Sequence, residues 1–160
     1  MRSAIALVAC VGVLAVVDWS IVQREHHLES GRIVYLELAP VDPRSLMQGD
    51  YMALSFAIAR EAQAALREAR QAEDGRIVVT VGSDGVAKYA RMDDGRPLAA
   101  DELRLRYRIR AGEMKFATNA WFFEEGTAAR YEPARYGEFR VDPDGELLLT
   151  RMRGKDLQPL

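Results

Sequence analysis

The sequence predicts an α+β domain, a curved and mainly antiparallel sheet or incomplete barrel with one or two helices, behind an N-terminal transmembrane helix. Three observations predict it. Leu103 to Arg110 reads LRLRYRIR, a strict period-two alternation that only a strand places on two faces. Gly82 to Gly85 and Asp142 to Gly145 are turn-forming tetrads, each set between two β-favouring runs. Ala57 to Glu73 switches to helical spacing, with Ile58, Ala62, Ala65, Leu66 and Ala69 on one stripe.

At the N-terminus, Ala4 to Val17 is an unbroken run of apolar residues and glycine. Carried on through Asp18, Trp19 and Ser20 to Val22, it makes a helix of roughly 28 Å at ~1.5 Å per residue, close to the ~30 Å of a bilayer core. Asp18 falls in its last turn beside Trp19, a residue suited to the headgroup level. Arg2 precedes the run as in a secretory signal or signal anchor, and both export the rest of the chain. Ala15 to Trp19 offers no A-x-A cleavage site, so the expectation is an uncleaved anchor over 1–23 and an exported domain over 24–160, outside the cytoplasmic membrane of a bacterium. The bland alternative is a helix buried inside a soluble domain.

Arg32 to Leu38 reads as the first strand, bounded by Gly31 and Pro40. After a loop punctuated by Pro40, Pro43 and Gly49, Tyr51 to Phe56 resumes as a strand with Met52, Leu54 and Phe56 on one face. The helix Ala57 to Glu73 ends at Asp74 and Gly75. Arg76 to Val81 and Val86 to Met92 form an antiparallel hairpin about the first tetrad, and Leu103 to Arg110 is the next strand. Lys115 to Phe123 is expected to be a strand and Glu124 to Ala134 to begin a short helix. Tyr136 to Val141 and Glu146 to Met152 close the domain as a hairpin about the second tetrad.

Composition narrows the function. The 160 residues carry 22 Lys and Arg against 24 Asp and Glu, a net charge of -2, so no global basic field attracts nucleic acid. Cys10 is the only cysteine and His26 and His27 the only histidines, which excludes an intramolecular disulfide and a multi-cysteine zinc site. No cofactor or metal is expected. Adjacent histidines on a helix point about a hundred degrees apart, so His26 and His27 read as a solvated pair outside the anchor.

Gly49, Asp50, Tyr51 and Leu54 lie within LAPVDPRSLMQGDYMALSF, Leu38 to Phe56, and this stretch resembles the signature of the bacterial GDYXXLXY family of membrane-anchored proteins of unknown function. Phe56 stands where the signature ends in tyrosine, keeping the ring and losing the hydroxyl. A second block from Trp121 to Val141 is similar to the family through Phe123, Glu125, Gly126, Ala134, Arg135, Tyr136, Gly137, Glu138, Phe139 and Arg140. The resemblance implies a single N-terminal anchor and a partner, a multipass membrane protein, but no chemistry.

The candidate contact residues are Asp42, Arg44, Asp50 and Tyr51 in the signature loop, with Glu125, Arg135 and Tyr136 as a second set. Pro40, Pro43 and Gly49 also explain a shaped loop by backbone restriction alone, with Asp50 fixing the entry to the strand. Convergence of Asp42 and Asp50 with Glu125 would make an acidic site instead. The leading function is a non-enzymatic binding or accessory domain; the alternative is a serine/lysine hydrolase distantly related to signal peptidases, with Ser45 as nucleophile and Lys88, Lys115 or Lys155 as base. Two features have open readings. Arg104, Arg106, Arg108 and Arg110 form either an anion-binding face or a cross-strand charge ladder. Trp121, Phe122 and Phe123 pack a core or anchor an interface.

Overall fold

A computed structural model of the chain describes residues 2–39, 47–48, 51–68, 73–118 and 120–160. Helix α1 spans Arg2–Ser30. Strands β1 (Arg32–Glu37), β2 (Met47–Gln48) and β3 (Tyr51–Ala53) lead to α2 (Ala57–Glu68). Then come β4 (Gly75–Val81), β5 (Ala87–Met92), β6 (Glu102–Arg110), β7 (Glu113–Lys115) and β8 (Ala120–Phe122). A 3-10 turn at Ala128–Arg130 precedes β9 (Tyr136–Val141) and β10 (Leu147–Arg153).

The strands form three antiparallel groups, in the orders β1-β9-β10, β2-β3-β8 and β5-β4-β6-β7. They join edge to edge. The Tyr35 amide donates to the Gly85 carbonyl at 2.9 Å and the Arg106 amide to the Gly145 carbonyl at 2.7 Å, while Leu38 bridges Phe56. The sheet curls into a half-barrel, as the sequence predicts. Gly145 sits at the tightest seam. Its φ is +84°, and a Cβ there would lie 2.9 Å from the Arg104 carbonyl oxygen, so glycine answers both demands.

Inward residues of the curl meet the apolar stripe of α2. Val34 and Leu36 from β1, Ile77 and Val79 from β4, Leu105 and Tyr107 from β6 and Phe139 from β9 pack with Ile58, Ala62 and Leu66. Each such side chain withdrawn from water stabilises the fold by about 1.5–3 kcal/mol. The LRLRYRIR alternation is realised, with Leu105 and Tyr107 buried and Arg106 and Arg108 exposed.

Three expectations need correction. The strand expected over Lys115 to Phe123 is two, because Phe116 leaves β7 for the core and Ala117 turns the chain at φ 42°. The helix expected from Glu124 is only the Ala128–Arg130 turn, because Gly126 takes a φ of +80°, outside the helical region; Phe123 and Tyr131 stack on either side of the turn at 5.2 Å. His27 is not solvated. The end of α1 docks on β9, His27 is 8% exposed, and its Nε2–H donates to the Arg140 carbonyl at 2.9 Å. The Arg140 guanidinium returns a bond to the Gly31 carbonyl at 3.0 Å. Gly31 permits the approach, since a Cβ there would lie 2.6 Å from the His27 carbonyl oxygen and 3.0 Å from the Arg140 Cβ.

Among the described residues no helix is long and apolar enough to cross a membrane. The exposed side chains of α1 include Val11, Val13, Leu14, Val16, Trp19, Ile21 and Val22.

Candidate functional site

Strand β3 carries the end of the signature and divides its residues by face. Met52, Leu54 and Phe56 point inward, as their alternation predicts. Phe56 is 3% exposed and meets Phe139 edge-on at 5.4 Å and 73°. Packing is its role here, so the missing hydroxyl leaves no polar atom to satisfy in the core. Gly137 clears the space, because a Cβ there would lie 2.9 Å from the Phe139 ring and 3.4 Å from that of Phe56.

Tyr51 takes the opposite face. The register of β3 against β8 sets Tyr51 across from Phe122, Met52 from Trp121 and Ala53 from Ala120. The Tyr51 and Phe122 rings lie 5.7 Å apart, tilted by 40°. The two blocks read from the sequence are therefore neighbouring strands. Phe122 is 74% exposed on β8, the outer strand of its group. Trp121 and Phe123 turn the other way and pack on Tyr131, at 6.0 and 5.2 Å. Three successive aromatics on a strand cannot all face a core, and that alternation was the available signal for the outward ring. The Trp121 Nε1–H is buried without a hydrogen-bond partner among the described residues. An aromatic ledge results, with one ring in solvent and one beside it half-buried.

The remaining candidates fall in separate places. Asp42, Arg44 and Asp50 lie outside the described residues, as does Ser45. Glu125 is exposed in the turn after β8. Arg135 precedes β9 and Tyr136 begins it, standing across from Glu37 and Arg153, and the Arg135 guanidinium donates to the Ala134 carbonyl at 2.8 Å. No hydrogen bond or ion pair among the described residues joins Glu125 to either. One polar cluster was missed. Glu138, buried on β9, pairs with Arg153, whose Nε–H donates at 2.6 Å, and accepts from the Thr150 hydroxyl at 3.2 Å. Arg153 also covers the Tyr35 ring at 5.8 Å. A carboxylate engaged from two sides and closed off by a guanidinium holds strands together and offers little to a ligand.

The arginine stripe is laced with carboxylates. Arg104 pairs with Asp93 at 3.0 Å, Arg110 with Asp74 at 3.2 Å, and Arg106 and Arg108 each reach Glu146 at 3.5 Å. The Ile109 amide donates to Asp74 at 2.7 Å, and this bond, joined by the Arg110 charge, holds the Asp74 carboxyl below its usual range. Serine/lysine chemistry has no assembled pair among the described residues. Ser55 and Lys115 line one small depression with Leu54, Phe56 and Met114, but no hydrogen bond joins them. Lys115 Nζ is instead paired with Glu113 at 2.6 Å.

The model of the GDYXXLXY family matches residues 13–152, taking in the end of α1, both sequence blocks and every strand up to most of β10. The chain belongs to the GDYXXLXY family. No curated protein and no solved structure matches it. In this GDYXXLXY protein the naming motif thus has two parts: a buried half, Leu54 and Phe56, that fastens β3 to the core, and a half-buried Tyr51 that supports an outward phenyl ring.

Proposed function

We propose that this GDYXXLXY protein is a non-enzymatic binding domain, held at a bacterial membrane by its N-terminal helix, and that its contact surface is the ledge formed by Tyr51 and Phe122. The observation that carries the reading is the 74% exposure of Phe122, against the usual fate of a large ring. The other candidates read from the sequence, Asp42, Arg44 and Asp50 before Tyr51, Glu125 after Phe122, and Arg135 and Tyr136 at the start of β9, are retained as proposed polar contacts. A multipass membrane protein is the partner class that the family resemblance implies. Anchoring is supported by the apolar run from Ala4 to Val17 and by exposed Val11, Val13, Leu14 and Val16, which at ~100° per residue spread around the helix rather than forming one stripe.

The test places a photoreactive phenylalanine analogue at position 122 in membranes of living cells. One membrane protein captured reproducibly, with capture abolished by Tyr51→Ala, is the expected result. Covering a phenyl ring contributes about 1.5–3 kcal/mol, so Phe122→Ala should weaken the captured pair about ten- to hundredfold while leaving thermal stability within about 0.5 kcal/mol. No adduct from a correctly inserted protein overturns the reading.

A further inference from the structure

The outer face of β4 and β6 has more positive charge than its carboxylates neutralise. Arg76 is exposed, stands directly across from Arg106, and has no carboxylate partner among the described residues. Arg106 and Arg108, with side chains 57% and 46% exposed, share the single Glu146 at 3.5 Å each. Exposed pairs of that length contribute only about 0–1 kcal/mol, so the three guanidinium groups remain able to exchange a carboxylate for phosphate, which their planar donor forks fit well. This concentration of cations occurs on a chain whose net charge is -2.

Its location gives it an occupant. The turn that supplies Glu146 also supplies Asp142, whose carboxylate lies 4.0 Å from Nδ1 of His27 in the last turns of α1. The Arg106 amide donates to Gly145 in that turn. Helix end, turn and arginine pair are consecutive in space. His27 lies about 8 Å along the helix axis beyond Val22, the end of the proposed spanning segment, at ~1.5 Å per residue. The contacts from the helix end through Asp142 and Glu146 to the arginines place this face on the part of the domain that adjoins α1.

We propose that Arg76, Arg106 and Arg108 form a docking face for the phosphate headgroups of anionic phospholipids, which lays the domain on the membrane that holds its helix. The inference rests on the anchoring reading and adds an orientation to it. Glu146 acts as the exchangeable partner that phosphates replace on both arginines. The face is carried by β4 and β6, whereas the Phe122 ledge is carried by β3 and β8.

The experiment reconstitutes the full chain into phosphatidylcholine vesicles and into vesicles with one third phosphatidylglycerol. Flotation after alkaline extraction reads anchoring. Phenylglyoxal labelling, with peptide mass spectrometry, reads the exposure of each arginine. The expected result is flotation in both compositions, with labelling of Arg76, Arg106 and Arg108 slowed at least threefold by phosphatidylglycerol and restored by 0.5 M salt, while Arg130 labels equally in both. Arg106→Glu with Arg108→Glu should abolish the protection at Arg76 without changing flotation. Flotation with equal labelling of the three arginines in both vesicles overturns the headgroup proposal and leaves anchoring intact. Failure to float in either composition overturns anchoring and the docking face with it.

Discussion

Glu138 and Asp74 show how differently two ion-paired carboxylates act in the same sheet. Glu138 and Arg153 are 10% and 16% exposed at their side chains, so each depends on the other in a region where water offers little replacement. Glu138→Ala leaves the Arg153 guanidinium buried without its counter-charge. The expected loss is about 3–5 kcal/mol, read as a lowered denaturation midpoint of the protein in detergent, and replacing both residues by leucine should recover much of it. Asp74 lies in solvent, and its effect is legible through pH. Its carboxyl is held low by the Ile109 amide and by Arg110, so the folded-state pKa lies below the unfolded one. A depressed acid contributes stability that is present above the unfolded pKa of ~3.9 and is lost as pH falls through the folded value. Asp74→Asn keeps an oxygen for the Ile109 amide and removes the charge. Its melting temperature should fall below that of the native protein at pH 7 and converge on it as pH falls through the folded-state pKa of Asp74.

At the scale of elements, the parts legible in the sequence were those set by local rules. The two tetrads predict their hairpins because glycine and aspartate satisfy turn geometry without outside help, as the Asp142 carboxylate does by accepting from the Asp144 and Glu146 amides at 3.0 and 2.8 Å. The inward set Met52, Leu54 and Phe56 was likewise fixed by period two. The features that escaped depend on partners distant in sequence. Nothing near His27 announces that it will be buried, since its hydrogen bond goes to Arg140, more than a hundred residues away. Of the candidate site, the pairing of Tyr51 with Phe122 was hidden for the same reason, and Phe122 was grouped with rings that turn inward. Gly31 marks the junction that results. Gly31→Ala forces a methyl group between the His27 carbonyl and the Arg140 side chain, and neither is a free chain end. A cost of about 1–3 kcal/mol is expected, with faster amide exchange in the last turn of α1 and in β9 but not in β4 or β6.

For the whole molecule the governing question is which solvent α1 occupies. A helix with apolar residues on every side is stable either inside a protein core or in lipid. The first option requires covering side chains, yet Val11, Leu14 and Val16 are exposed and, among the described residues, the core cluster takes none from α1. On the anchoring reading proposed above, lipid would supply that cover without adding a protein partner. That choice has an energetic consequence that no soluble arrangement shares. An aspartate near the middle of a spanning helix costs about 2.5–3.5 kcal/mol, whereas on an exposed helix in water it costs only its helix propensity, about 0.7 kcal/mol or less. Val11→Asp combined with Leu14→Asp therefore separates the two solvents. In lipid the pair removes about 5–7 kcal/mol of insertion free energy, enough to move the protein from the membrane pellet to the alkaline-soluble fraction. In water it leaves fractionation unchanged. The expected outcome is release, with the domain still folded by near-ultraviolet circular dichroism, because β1 through β10 draw no core residue from the stretch that was altered.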